Sequence, residues 1–243
     1  MTAESNYNAQ IGIQKSWNEI NESIKNSAVK CGRDPKDISV IAVAKTKPVE
    51  LIKLALDAGI ENIGENYVQE LSAKHREMDY LSYNPKWHFI GHLQRNKVKS
   101  IVEFISLIHS VDSFSLAKEI SRQAEKVNKS IDILLQINSS AEESKFGCPP
   151  DKAAKLFEEV STLKNISIKG LMTIGSFSND ESITRKEFKL LYKVFEKLNK
   201  DFPGNGMLHL SMGMSSDYQI AIEEGATLLR IGTTIFGERN YNK

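Results

Sequence analysis

From Ser39 to Ile231 the chain alternates short, β-branched apolar runs with longer segments whose apolar residues recur at helical spacing, and it does so eight times. The runs are Ser39–Ala44, Asn62–Gly64, Trp87–Ile90, Leu107–Ser110, Ile131–Ile137, Ile168–Ile174, Met207–Leu210 and Thr227–Ile231. The segments between them carry helix punctuation. In "PVELIKLALDAG" Pro48 stands at the first helical position and Gly59 at the stop, and in "SFSLAKEISRQAEKV" Ser113 stands as the N-cap. Repeated βα units of this kind predict an α/β fold. An open parallel sheet would leave two edges to cover as well as both faces, so eight units with short connections are best satisfied by closure into a single (β/α)8 barrel of the TIM type. A doubly wound open sheet is the alternative. An amphipathic helix over roughly Ala9–Cys31 precedes the first strand and is expected to cover the barrel or its end.

The 243 residues suffice for one such domain, residues 1–243, with the barrel over about 38–239, and no linker or low-complexity tract divides them. A formal net charge of +1 gives no electrostatic reason to expect nucleic acid or a membrane surface as partner. No apolar run is long enough to span a bilayer and the N-terminus lacks a signal-peptide core, so a cytoplasmic protein is expected. Cys31 and Cys148 lie far apart, in no metal-ligand spacing, and read as free thiols. No HExxH, DxD or clustered histidine pattern occurs, so no metal is expected; His88, His92, His109 and His209 are scattered over strands 3, 4 and 7. "SFSNDES", Ser176–Ser182, reads as a polar loop, and "RNKVK" as a solvated helix face.

In such barrels the working face is the C-terminal end of the strands, so the question is what each strand delivers there. Strand 1 ends on Lys45, strand 2 leads into "GENYVQE" with Glu65 and Asn66, and strand 3 gives "HFIGHLQ" with His92 and Gln94. Strands 7 and 8 run into "SMGMSSD" and "GTTIFG". The loops after these last two strands frequently make a phosphate site from backbone N–H groups; glycine lets the backbone approach an anion, and Ser and Thr add hydroxyl donors. Ser211, Ser215, Gly232 and Thr233 then form the cradle, although each loop alone reads equally as a turn and a helix cap. Arg230, inside the apolar run "LLRIG", is expensive to bury without an acceptor, either a structural carboxylate or a ligand atom beside the phosphate site. Lys45 is open in the same way. It either reaches solvent and pairs loosely, or, sharing a face with Ile41 and Val43, is partly desolvated, which lowers its pKa and suits an amine that attacks an aldehyde. Lys47 sits past the strand and is the poorer candidate. An amine, an arginine and a phosphate cradle at one mouth match the aldehyde, ring nitrogen and phosphate of pyridoxal 5′-phosphate (PLP).

Together, "AVAKTKP", "GENYVQE", "WHFIGHLQRNK", "SVDSFSLA", "GLMTIG" and "LSMGMSSDYQIAIEEGATLLRIGTTIFGER" resemble the pyridoxal phosphate homeostasis protein family, whose members are similar to the N-terminal barrel of alanine racemase. The resemblance runs from about Ile38 to Arg239. It implies a single barrel that binds PLP as an internal aldimine, with Lys45 in the Schiff-base position and Arg230 facing the pyridine nitrogen. Asn66 would lie near the ring, and the segments "SMGMS", which contains Ser211, Met212 and Ser215, and "GTT", which contains Gly232 and Thr233, would hold the phosphate. It implies intracellular PLP homeostasis or carriage without an established turnover, with PLP-requiring apo-enzymes as recipients; a monomer is expected. The chain ends at Lys243, soon after strand 8, so the tyrosine-bearing second domain of the racemases is not expected. An arginine on the ring nitrogen would also weaken the cofactor as an electron sink. A PLP-dependent amino-acid racemase with a minimal pocket is the alternative.

Overall fold

The computed structural model describes residues 3–140, 142, 145–176, 178 and 180–238. Eight strands form a closed, all-parallel barrel in sequence order: β1 Ser39–Val43, β2 Asn62–Glu65, β3 Lys86–Phe89, β4 Leu107–Val111, β5 Ile131–Gln136, β6 Ile166–Met172, β7 His209–Met214 and β8 Leu228–Ile231. Closure is made by β1, which pairs with β2 on one side (Ile41 opposite Asn62) and β8 on the other (Ile41 opposite Arg230). This is the (β/α)8 barrel that the alternation predicts, and the open sheet is excluded.

The helices are α1 Ala3–Lys30, α2 Val49–Asp57, α3 Val68–Tyr80, α4 Phe114–Lys126, α5 Ala153–Ser161, α6 Glu181–Asp201, α7 Tyr218–Glu223 and α8 Thr233–Phe236. Helix α1 starts six residues before the expected Ala9 and packs against α2, α7 and α8. Pro48 is the residue before α2 rather than its first, and Gly59, at φ 94, stops the helix as its freedom to adopt positive φ allows. Ser113 occupies the N-cap of α4, but its Oγ makes no capping bond there. "RNKVK" forms a 3-10 helix, Arg95–Ser100, with Val98 buried. Arg239, the expected barrel limit, and Phe177 and Asn179 of the polar loop lie outside the described residues.

Strand alternation separates two cores. Val40 and Ala42 face the helices in the large outer core, whereas Ile41 points into the barrel, where it joins Leu107, Leu134, Met172 and Leu228 in a small interior cluster. The rest of the interior is polar, with buried His88, His109, Ser211 and Arg230.

The seventh strand departs from expectation. Met207–Leu210 reads as a strand and "SMGM" as a loop, but β7 runs from His209 to Met214. Its register against β8 slips between Ser211 and Met214, which leaves three steps on β7 against two on β8. Gly213 makes this possible: it has φ 89, and a Cβ there would sit 2.5 Å from the Ala221 Cβ of α7. Serine and glycine therefore stand inside a strand, where local composition signals a turn.

Candidate functional site

A cavity of about 330 Å³ opens at the C-terminal ends of the strands. β1 contributes Val43 and, just beyond it, Lys45; the loop after β2 contributes Asn66, and the residues after β3 and β6 contribute Ile90 and Ile174. The remaining wall is Met214 at the end of β7 and Ser215 and Ser216 just beyond it, with Arg230, Gly232 and Thr233 from β8 and the start of α8. Six of the sequence candidates, Lys45, Asn66, Ser215, Arg230, Gly232 and Thr233, thus meet around one space.

Lys45 faces the cavity because it continues the inward series Ile41, Val43. Thr46 follows at φ 64, and its N–H donates to Glu70 Oε1 at 2.6 Å. Lys74 of α3 donates to the Ala44 carbonyl at 2.7 Å and lies 2.6 Å from both Glu65 Oε1 and Glu70 Oε1. Burial pushes the Glu65 carboxyl up to about 7, against the pull of Lys74. Lys47 turns away to donate to the carbonyls of Phe236, Gly237 and Glu238 at 2.9–3.0 Å, tying the β1 loop to the end of α8. Asn66 is placed by a close crossing: a Cβ on Gly91 would stand 2.1 Å from the Asn66 carbonyl oxygen, so only glycine lets the loops after β2 and β3 touch. Its Oδ1 is buried and accepts no hydrogen bond.

Arg230 is held by Nη1 donating to Ser211 Oγ at 2.7 Å and Nη2 donating to the Thr173 carbonyl at 2.8 Å. Among the described residues no carboxylate lies within ion-pair distance of it. Burial lowers its pKa to about 10, with Asp217 opposing, so it is cationic at neutral pH. An arginine can only donate, so Ser211 Oγ accepts from it and gives its own hydrogen to His109 Nδ1 at 2.9 Å. His109 Nε2 then donates to His88 Nδ1 at 2.9 Å, and His88 Nε2 donates to Asn62 Oδ1 at 3.2 Å. Every member is used once with both imidazoles neutral, in keeping with burial holding His88 down to about 3 and His109 well below its usual value.

Two expected cradle residues stand elsewhere. Ser211 is fully buried in the barrel interior as the link between Arg230 and His109, and Met212, the next residue on β7, packs into the outer core. The reason is the extended β7: alternation turns Ser211 inward below the cavity and Met212 outward. Ser215 does reach the cavity, where its Oγ accepts the Gly232 N–H at 3.3 Å. His92 stacks on Phe146 with ring centroids 3.9 Å apart, and Gln94 lies in a separate surface groove with Arg95 and Asn96. Cys31 is exposed and Cys148 buried, both as thiols. Among the described residues no group of three or more His, Cys, Asp or Glu is placed to hold a metal ion, and no helix is long and apolar enough to cross a membrane. Sequence reasoning missed the Glu65–Lys74–Glu70 cluster, although its signal was present: Lys74 falls on the buried face of α3 with Val68, Leu71 and Met78.

Residues 24–240 match the family "alanine racemase, N-terminal domain". The pyridoxal phosphate homeostasis protein of Aquifex aeolicus is 40% identical over 220 residues, covering 90% of this chain and 95% of its own length. The protein of the same name from Homo sapiens is 40% identical over 247 residues, covering 97% of this chain and 90% of its own. Among solved structures, PipY of Synechococcus elongatus PCC7942, with PLP bound, superposes with a TM-score of 0.78 at 34% identity, over 90% of this chain and all of that one.

Proposed function

The chain belongs to the alanine racemase N-terminal domain family, and on that footing we propose that it binds pyridoxal 5′-phosphate in the cavity at its strand ends and serves in homeostasis of that cofactor. The observation that carries the reading is convergence: one cavity of about 330 Å³ is walled by an inward lysine, a buried arginine, and a run of Ser, Gly and Thr donors. The names of relatives at 40% identity, and a homologue with PLP bound, support the same ligand.

The residues present fit the group. When bound, PLP supplies an aldehyde that condenses with a lysine amine with loss of water, a ring bearing a hydroxyl donor and a nitrogen acceptor, and a phosphate dianion. Lys45 offers the amine. Arg230 donates and cannot accept, so a nitrogen placed against it stays unprotonated. Asn66 Oδ1 is a buried acceptor still in want of a donor, a cost that a ligand hydroxyl or ammonium removes. Ser215, Ser216, Gly232 and Thr233 supply hydroxyls and N–H groups for the phosphate. Ser211 supports Arg230 from below, and Met212 has no part in the cavity.

In this reading the barrel with α1 works as one domain and as a monomer, and it delivers PLP to apo-enzymes that require it. Two unbridged thiols suit a reducing cytoplasm. The likeness to racemase barrels keeps a second reading, amino-acid racemisation, in view. Racemisation needs a proton acceptor and a donor on opposite faces of the substrate carbon. Among the described residues lining the cavity only Lys45 and Arg230 ionise, and Arg230, at about 10, is no base at neutral pH.

Reconstituted with PLP, the protein should show a visible absorption band that borohydride bleaches, with the fixed adduct in the peptide containing Lys45; K45A should lose both. An adduct on Lys47 or Lys97 in the unsubstituted protein overturns the assignment. Incubated with L- or D-alanine in D2O, the loaded protein should exchange the α-hydrogen no faster than free PLP; Lys45-dependent, saturable exchange establishes the racemase instead.

A further inference from the structure

Lys45 is bracketed by two peptide groups, and both are hydrogen-bonded to one ion cluster on the helix side of the sheet. The carbonyl before it, of Ala44, accepts from Lys74 Nζ at 2.7 Å. The N–H after it, of Thr46, donates to Glu70 Oε1 at 2.6 Å. Lys74 joins the two contacts, since its ammonium lies 2.6 Å from the same Glu70 oxygen and 2.6 Å from Glu65 Oε1. Thr46 is held at φ 64, which a β-branched residue adopts only where its surroundings over-determine it.

Packing alone does not account for this arrangement. Lys74 occupies the buried face of α3 beside Leu71 and Met78, where a methionine or leucine would fill the space without bringing charge out of water. An ammonium there does what an apolar side chain cannot: it reaches the backbone of the β1 loop and, through Glu70, the next peptide as well. The amine of Lys45 extends from the one residue between those two fixed groups, so its direction into the cavity is set from behind.

We propose that Lys74 is a positioning residue for Lys45: with Glu65 and Glu70 it clamps the peptide on either side of Lys45 and so aims the amine into the cavity. The proposal rests on the reading of Lys45 as the residue that takes the cofactor's aldehyde. Reactions between held groups are steep in geometry, and a displacement of about 1 Å can cost on the order of a hundredfold in rate. Loosening the clamp therefore slows capture of the aldehyde while the binding of ring and phosphate is kept.

The test compares unsubstituted protein, K74M and E70Q, each as the full chain freed of cofactor. Three quantities are read: the rate at which the visible band forms on mixing with PLP, the site of the borohydride-fixed adduct by peptide mapping, and the affinity for pyridoxine 5′-phosphate, which has the ring and phosphate but no aldehyde. In K74M the adduct should still map to Lys45, the band should form about ten- to a hundredfold more slowly, and pyridoxine 5′-phosphate should bind within about twofold of the unsubstituted protein. E70Q, which keeps Lys74 on Glu65 and on the Ala44 carbonyl, should be slowed less. An unchanged rate in K74M, or a parallel loss for both ligands, overturns the proposal. If circular dichroism shows K74M unfolded, E70Q decides: slower band formation with pyridoxine 5′-phosphate affinity held supports the clamp, and any other result overturns it. An adduct away from Lys45 in the unsubstituted protein is a failure of the underlying reading instead.

Discussion

Desolvating a guanidinium costs several kcal/mol, and Arg230, at 5% exposure, offsets that cost without a carboxylate, through a serine hydroxyl and a main-chain carbonyl. A carboxylate partner would have neutralised the charge and closed its donors; Ser211 and the Thr173 carbonyl hold the group in place and leave it cationic toward the cavity. Ser211 is thus worth more than its size. Replacing it with alanine strips Arg230 of an acceptor and His109 Nδ1 of a donor, and an unsatisfied buried group costs about 1–3 kcal/mol. S211A should therefore lose about 2–4 kcal/mol in urea denaturation and bind PLP more weakly. Its neighbour provides the contrast. M212L conserves volume in the outer core and should cost under about 1.5 kcal/mol with PLP affinity unchanged. A PLP affinity in S211A equal to that of M212L would detach the interior chain from the site.

β7 shows at the level of an element how the cavity wall is shaped, because its bulge turns Met214 and Ser215 toward the ligand space. G213A places a Cβ 2.5 Å from the Ala221 Cβ on a backbone at φ 89; left-handed strain and overpacking together should cost about 2–4 kcal/mol and weaken PLP binding. G12A, on the exposed side of α1 with nothing within 4 Å of the new Cβ, should instead stabilise by about 0.5–1 kcal/mol. Equal effects in urea denaturation would remove the bulge from the account. The same strand marks the limit of what sequence could disclose. β1 was legible, and Lys45 with it, because period-two alternation is a local property and Ile41, Val43 and Lys45 follow it. β7 was not, because Ser211 is a strand residue through its pairing with Met172 of β6 and Leu228 of β8 and is held inward by His109, 102 positions away, while Gly213 is required by the close approach of α7. Lys74 lay between these cases: its place on an apolar helix face was readable, but its purpose depends on a backbone carbonyl 30 residues earlier.

Across the whole molecule, the buried titratable groups pull the stability curve in opposite directions. His88 and His109 are held neutral in the fold, His88 down to about 3, whereas an unfolded histidine takes a proton near 6.5. As pH falls below 6.5 the unfolded chain therefore binds more protons at these positions, and the fold loses stability. Glu65 acts with the opposite sign. Its carboxyl, buried beside Lys74 and Glu70 with Oε2 unpartnered, keeps its proton up to about 7, whereas an unfolded glutamate releases it near 4.5. Between those values the fold holds the extra proton, so this contribution is full below 4.5 and is lost as pH rises through 7. Asp217, also raised by burial, acts in the same direction. At pH 5 to 6 His88 and His109 outweigh Glu65 by about one proton, so these three groups together should contribute a rise in stability of about 1.4 kcal/mol per pH unit, with the lowered His75 and His209 adding to it and Asp217 subtracting. E65Q removes the opposing carboxyl and leaves the histidines. Its urea-denaturation stability should rise more steeply over pH 5 to 6 than that of the unsubstituted protein, by about 1.4 kcal/mol per unit, and the variant should gain on the unsubstituted protein toward pH 7.5, where the buried carboxylate would otherwise be charged. Parallel slopes for the two proteins over pH 5 to 6 would show that Glu65 is already ionised in the fold and that Lys74 outweighs burial there.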